Sequence, residues 1–343
     1  NMKNIYGYTL EKLEEYFESI GEKKFKATQV FEWLYKKRVK SFDEMSNVKK
    51  DTLEILKRDL TFSDIQIVAK REGEDVIKYL FELSDCSRVE AVLMKHDYGN
   101  SLCVSTEVGC NMGCTFCESG RMKKVRNLET YEMVLQILKI EEDTNIRISH
   151  VVLMGIGEPF DNYDNVIDFV SIINSGKGID IGARHITIST CGIIPKIKEF
   201  IKDGGQVNLA ISLHASNNEL RSKIMPINKA YPLKDLIEVL KEYIDKTGRR
   251  VTFEYVLLNE VNDNYENAVE LANLLRGMNC YVNLIPYNET SHIEFKKSSK
   301  ENIDIFYDTL KKNKINVTIR REFGRKVDAA CGQLRSKYEG GIK

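Results

Sequence analysis

Three cysteines, Cys110, Cys114 and Cys117, fall within eight residues. A chain that carries them must offer one short loop from which three thiols share a centre. Gly113 lets the backbone wrap closely there, and Phe116 supplies an apolar flank. At Cys-x3-Cys-x2-Cys spacing the thiolates can each take one iron of a [4Fe-4S] cube, which leaves the fourth iron without a protein ligand. A structural zinc loop instead closes four ligands, usually as two Cys-x2-Cys-like pairs, and the chain has no second pair. A disulfide framework belongs to secreted chains, and nothing else in this one points that way.

An open iron is a place where the amino and carboxylate groups of S-adenosylmethionine (SAM) can chelate. One electron then splits the sulfonium, the cofactors supplying reactivity and the protein orientation and shelter. The cysteine motif therefore resembles that of the radical SAM superfamily.

The 343 residues suit one large domain plus a small one, and 42% apolar content suits a globular core. Formal charge is zero, which leaves room for segregated basic patches. Residues 23–58 hold 11 Lys or Arg against 5 Asp or Glu, and Arg121, Lys123, Lys124 and Arg126 follow the cysteines. Both stretches are candidate phosphate contacts. No apolar run approaches the roughly 20 residues of a membrane span and no leader opens the chain, so a reducing cytoplasmic setting is expected.

Leu10, Leu13, Tyr16, Phe17 and Ile20 recur at threes and fours, and Val30, Phe31 and Leu34 form a second helical stripe. Residues 1–60 thus read as a small basic helical domain that binds RNA, and 61–98 as a linker and β-hairpin with strands at 76–83 and 89–94. From 99 onward, strands expected at 102–106, 150–154, 186–190, 207–213, 251–258, 281–285 and 315–320 alternate with helical stripes. That alternation predicts a parallel sheet flanked by helices, an α/β fold closest to a partial (β/α)6 barrel whose site lies at the strand C-termini.

The cysteine loop follows the first of these strands. Gly157, Glu158, Ser189, Ser212, Leu213, His214 and Asn288 lie at or just beyond the ends of others, where they can meet a ligand. A carboxylate or carbonyl at Glu158 could hold the SAM amino group. Cys103, inside the first strand, and Cys331, before Gly332, would in isolation be small buried apolar residues.

Taken together, the run 102–110, Gly157-Glu158-Pro159, Ser212-Leu213-His214, Met225-Pro226-Ile227-Asn228, the phrase 282–288 and the phrase 328–334 resemble the RlmN/Cfr family of radical SAM methyltransferases, which act on an adenine of 23S ribosomal RNA (rRNA). The resemblance implies a radical SAM barrel over 99–343, a [4Fe-4S] cluster on Cys110, Cys114 and Cys117, and two SAM molecules per turnover. It implies that Cys331 is methylated by one SAM, and that a radical from the second abstracts hydrogen from this methyl group, which then joins the adenine ring. Cys103 then resolves the protein–RNA thioether by a disulfide with Cys331, and Glu90 handles the ring proton. SAM contacts carry over to Gly157, Glu158, Ser189, Ser212, Leu213, His214 and Asn288. Chemically, adenine carbons 2 and 8 are poor nucleophiles towards a sulfonium methyl group, and covalent catalysis divides the hard transfer into steps.

Within that family, phrases 190–195, 221–228 and 320–324 look more like the Cfr side, so carbon 8 methylation, with antibiotic resistance, is expected. Gly157-Glu158-Pro159 has the RlmN form, which leaves carbon 2 methylation, with transfer RNA (tRNA) as a second substrate, as the alternative. Glu118 departs from both groups and is expected to face solvent. The expected partners are 23S rRNA and an electron donor such as flavodoxin or ferredoxin, with the enzyme a monomer. A radical SAM enzyme for small substrates and a metal-stabilised RNA-binding protein without catalysis are the rival readings.

Overall fold

The computed structural model describes residues 2–320, so Cys331 and its neighbours lie outside the described residues. β1 (Lys3–Asn4) pairs in parallel with β2 (Leu60–Thr61) and ties together the ends of a helical unit. Between them lie α1 (Leu10–Ser19), α2 (Phe25–Tyr35) and α3 (Lys50–Asp59). Thr9 starts α1, its Oγ1 accepting from the Lys12 N–H at 3.1 Å, which satisfies one of the helix's orphan donors. The expected stripes face inward: Leu13 and Phe17 from α1, Val30, Phe31 and Leu34 from α2.

Three cations of this unit are bound to the rest of the chain. Lys12 pairs with Asp168, Arg38 with Glu141 and Lys40 with Glu142. Beneath them Gly178 sits against an aromatic wall, where a Cβ would lie 2.7 Å from Phe31 and 3.2 Å from Tyr35. The small unit therefore docks firmly on the large one.

The main sheet begins before residue 99. β3 (Gln66–Gly73), β4 (Val76–Glu82), β5 (Arg88–His96) and β6 (Gly99–Cys103) form an antiparallel meander. The sequence reading finds only the inner pair as a hairpin. β3 is an exposed, charged edge strand carrying Lys70, Arg71 and Glu72, and such edges lack apolar alternation because they discourage pairing with other chains. β6 then pairs in parallel with β9 (His150–Leu153), after the short hairpin β7 (Glu107–Val108) and β8 (Arg126–Asn127) and after α4 (Thr130–Thr144).

The alternation continues through α5 (Tyr163–Asn174), β10 (Ile186–Thr190), α6 (Ile194–Asp203) and β11 (Asn208–Ser212). Three helices follow, α7 (Asn218–Ile224), α8 (Ile227–Ala230) and α9 (Leu233–Thr247). Then come β12 (Val251–Leu257), α10 (Tyr265–Leu275), β13 (Cys280–Pro286), α11 (Lys300–Lys312) and β14 (Val317–Ile319). Six helical crossovers link seven parallel strands, as the alternation predicts, in one open ten-stranded sheet with β14 and β3 at its edges. The first parallel strand stops at Cys103 instead of 106, because Ser105 N–H donates to Gln136 Oε1 on α4 and Thr106 N–H to the Ile156 carbonyl. That early exit frees the chain to turn into the cysteine loop.

Gly178→Val should force Phe31 and Tyr35 apart and destabilise the protein by about 1–3 kcal/mol, the usual cost of overpacking. A lowered urea midpoint is the expected reading; an unchanged one would mean that the helical unit does not rest on this wall.

Candidate active site

Cys110, Cys114 and Cys117 lie on the loop between β7 and β8, with Gly113 at φ +64° as the close wrapping requires. The loop is fastened on two sides. Thr115 N–H donates to the Ile224 carbonyl of α7 at 3.0 Å, and Tyr287 donates its hydroxyl to the Phe116 carbonyl at 3.1 Å. The Phe116 ring meets His214 edge-on at 4.8 Å, so it flanks the site as expected.

All three thiols line one cavity with Gly157, Ser189, Ser212 and His214. Burial pushes Cys110 up to about 12 and raises Cys114 and Cys117, and Cys117 adds to the rise of the other two. A pocket that gathers three thiols while penalising three bare thiolates is built for a cationic guest, and sulfur donors suit iron–sulfur clusters. Among the described residues no three His, Cys, Asp or Glu side chains form a group that could hold a single metal ion. Ligands to a cube are spread over three irons, so the donor set fits a [4Fe-4S] cluster better than one zinc.

The strand-end residues divide by role. Gly157, at φ +108°, passes so close to Glu107 that a Cβ would lie 2.6 Å from that side chain. Ser189 and Ser212 stand 3.4 Å apart across β10 and β11. His214, at φ +58°, accepts from the Val256 N–H through Nδ1 at 2.9 Å. Burial, with Arg221 and Arg320 nearby, holds its imidazole neutral down to about 3. Asn288 turns a buried Oδ1 with no partner among the described residues towards a neighbouring cavity.

Two of the expected ligand contacts are structural in their side chains. The Glu158 carboxylate accepts from Phe160 N–H, Thr190 Oγ1 and Cys191 N–H at 2.7–2.9 Å, so a contact from this residue to a ligand falls to its main chain. Leu213 points into the core and is fully buried. Its N–H donates to the Glu254 carbonyl and its own carbonyl accepts from Arg221.

The larger cavity, about 1140 Å³, is lined by Cys103 and Asn288 and shares Met154, Glu254, Ile285 and Arg320 with the thiol cavity. Val92 pairs directly with Cys103 across β5 and β6, and Glu90 lies two residues back on the same face. Glu90 is buried and pairs with the buried Lys78 at 3.4 Å. The sheet thus brings Cys103 and Glu90 onto one face, while Cys331 lies outside the described residues.

Three charge expectations are corrected. Lys124 pairs with Glu107 at 2.7 Å and Asp161 at 2.9 Å, and Arg126 with Glu132 and Asp85, so both charges are already paired within the chain and neither is a free cation for phosphate. Burial pushes Glu107 up to about 7 in spite of Lys124, and only Arg121 and Lys123 of this stretch remain exposed cations. Glu118 is buried, not solvent-facing, with Arg121 3.6 Å away. The sequence reading also assigns no role to Arg221 or Glu254, whose importance rests on burial and long-range partners.

An unfolded histidine binds a proton as the pH falls through about 6.5, whereas His214 resists until about 3. Protons therefore favour the unfolded chain between those values, and stability falls as the pH drops through that window. His214→Asn keeps an acceptor and tolerates the left-handed backbone. It should relieve about 2 kcal/mol of the stability lost between pH 7 and pH 5. Urea midpoints at both values test this, and an unchanged pH slope would remove His214 as its source.

Comparison with known proteins agrees with this geometry. Residues 104–272 match the model of the radical SAM superfamily, and residues 3–61 match the ribosomal RNA large subunit methyltransferase N-terminal domain. A protein of Spiroplasma citri, named a probable dual-specificity RNA methyltransferase RlmN, is 53% identical over 100% of both chains. One of Enterococcus faecalis with the same name is 55% identical over 98% of this chain and 96% of its own. The crystal structure of a radical SAM methyltransferase from Sphaerobacter thermophilus superposes with a TM-score of 0.90, at 40% identity, over 97% of this chain and 99% of that one. Relatives this similar span the chain from end to end, and the two family models fall in order upon it: the chain belongs to the RlmN family of radical SAM RNA methyltransferases.

Proposed function

We propose that this enzyme methylates carbon 2 of an adenine in 23S rRNA and also in tRNA, through a methyl group carried on Cys331. What supports this most is the 53–55% identity, along nearly the whole chain, to proteins named dual-specificity RNA methyltransferase RlmN. The expectation of carbon 8 gives way to it. Of the phrases behind that expectation, Arg221 and Asn228 are buried structural partners of one another and line neither cavity, so their likeness to Cfr bears little on which ring carbon is presented.

In this reading Cys110, Cys114 and Cys117 hold the cluster, and the cluster with SAM supplies one-electron chemistry fed by a reduced flavodoxin or ferredoxin. The backbone at Gly157 and Glu158, the hydroxyls of Ser189 and Ser212, the neutral His214 and the Asn288 Oδ1, which has no partner among the described residues, orient SAM; Leu213 contributes only backbone. Glu90 takes the ring-carbon proton, for which reach matters more than an unusual pKa. Lys78 steadies it in the apolar wall. Cys103, on the same face, attacks the Cys331 sulfur as a thiolate: a Cys103–Cys331 disulfide forms, the bond from sulfur to the methylene carbon breaks, and that carbon takes a proton to leave the base methylated. The adenine must leave its stack to reach this lumen, and the exposed cations of the helical unit with Arg121 and Lys123 grip the flanking phosphates.

Cys103→Ala should still load the methyl group but stall as a covalent RNA adduct, visible as a slow band on a denaturing gel; normal turnover without such a band would remove Cys103 from the mechanism. Mass spectrometry of rRNA and tRNA from cells with and without the gene should find gene-dependent 2-methyladenosine in both. An 8-methyl product would reverse the assignment. Reversing Arg121 and Lys123 together should weaken RNA binding and flatten its salt dependence, whereas an unchanged slope would place the footprint elsewhere.

A further inference from the structure

Arg221 is the largest fully buried side chain in the described structure, and it comes without the acidic partner that buried charges normally need. Its Nη2 donates to the Cys191 carbonyl at 2.6 Å and the Ser212 carbonyl at 2.9 Å. Nε donates to the Leu213 carbonyl at 3.1 Å, and Nη1 to Asn228 Oδ1 at 3.0 Å. These neutral acceptors take up four of its five donors but leave its charge intact; no carboxylate among the described residues lies within ion-pair distance. Desolvating a guanidinium in this way costs several kcal/mol, more than an anchor for three carbonyls requires. A neutral amide could hold part of the same rim.

The position of the charge suggests its use. Arg221 rides on α7, the helix whose Ile224 carbonyl receives Thr115 of the cysteine loop. Its guanidinium donates to the carbonyls of Cys191 and Ser212, and both of those residues line the cavity that gathers the three thiols.

We infer that Arg221 is the fixed counter-charge of the cysteine loop, a positioning residue that fastens the ends of β10 and β11 and places beside the cluster a positive charge with no ion-pair partner among the described residues. This rests on membership of the radical SAM family and the three-thiol site, not on the choice of RNA substrate. An iron–sulfur group becomes more negative when it accepts an electron, and a buried cation nearby, poorly screened by water, favours the reduced state. Arg221 thereby raises the potential at which the site accepts its electron.

Charge and anchoring can be separated by substitution. Arg221→Gln removes the charge. Arg221→Lys keeps the charge and loses the planar fork. Asn228→Asp keeps the fork and places a carboxylate against the guanidinium, cancelling its field. The full-length chain is reconstituted anaerobically, its iron content and melting temperature are measured, and the cluster is titrated under redox control with electron paramagnetic resonance detection. Arg221→Gln and Asn228→Asp should each lower the reduced-to-oxidised ratio at fixed potential about tenfold, or about 59 mV for a one-electron couple. Arg221→Lys should melt earlier yet keep a midpoint close to the wild type.

An iron-loaded Asn228→Asp protein with the wild-type midpoint overturns the inference, as does an Arg221→Lys midpoint that falls as far as that of Arg221→Gln. Either result would reduce Arg221 to an anchor. Should one neutralising variant fail to load iron, the other decides, and should both fail, the Arg221→Lys midpoint decides.

Discussion

Parallel strands that end around a cavity leave backbone N–H and C=O groups buried at their C-terminal rim with no next residue in the ladder to pair with. Each such group left unsatisfied costs about 1–3 kcal/mol. Here buried polar side chains take up that burden one after another around the rim. Gln136 brackets Ser105, accepting from its N–H and donating to its carbonyl. Glu158 collects the donors of Phe160, Thr190 and Cys191. Arg221 supplies the carbonyls of Cys191, Ser212 and Leu213, and Asn262 donates to those of His214 and Val256. The rim is a ring of reciprocal satisfaction, and the ligand-facing groups are those the ring leaves over.

This explains how much of the molecule could be read in advance. The seven parallel strands and the cysteine loop are legible because both are local signals: period, length and spacing within a dozen residues. Roles at the rim are less legible because Glu158 and Asn288 look alike in sequence, as polar residues just beyond strands. Only the fold shows that Thr190 and Cys191 saturate the first and that nothing among the described residues saturates the second. Lys124 and Arg126 misled for a related reason. Glu132 lies six residues from Arg126, but their other partners Asp161 and Asp85 lie 37 and 41 residues away, so half of a run of cations on paper is internal pairing in space. β3 escaped notice because a charged edge strand suppresses the alternation by which strands are recognised.

The antiparallel extension matters more to function than its place as a prelude suggests. A sheet that ended at β6 would leave Cys103 on an open edge. With β5 and β4 laid alongside, Cys103 faces a wall of Val92, Ile156 and Val76, and the Glu90–Lys78 pair is buried in the same wall. A carboxylate and an ammonium so placed are each costly alone and tolerable together.

The two cavities meet at Met154, Glu254, Ile285 and Arg320. Glu254 is buried, accepts from Arg320 at 2.7 Å and from Asn283 at 3.3 Å, and passes its backbone carbonyl to Leu213 and His214. One residue therefore joins the wall between the chambers to the strand end that carries His214. In the proposed reaction a radical made on the thiol side acts across this boundary, and the Glu254–Arg320 pair stiffens the boundary that Met154 and Ile285 complete. Rigidity at that point fixes the spacing of the two chambers, which a collapsible hydrophobic septum could not do.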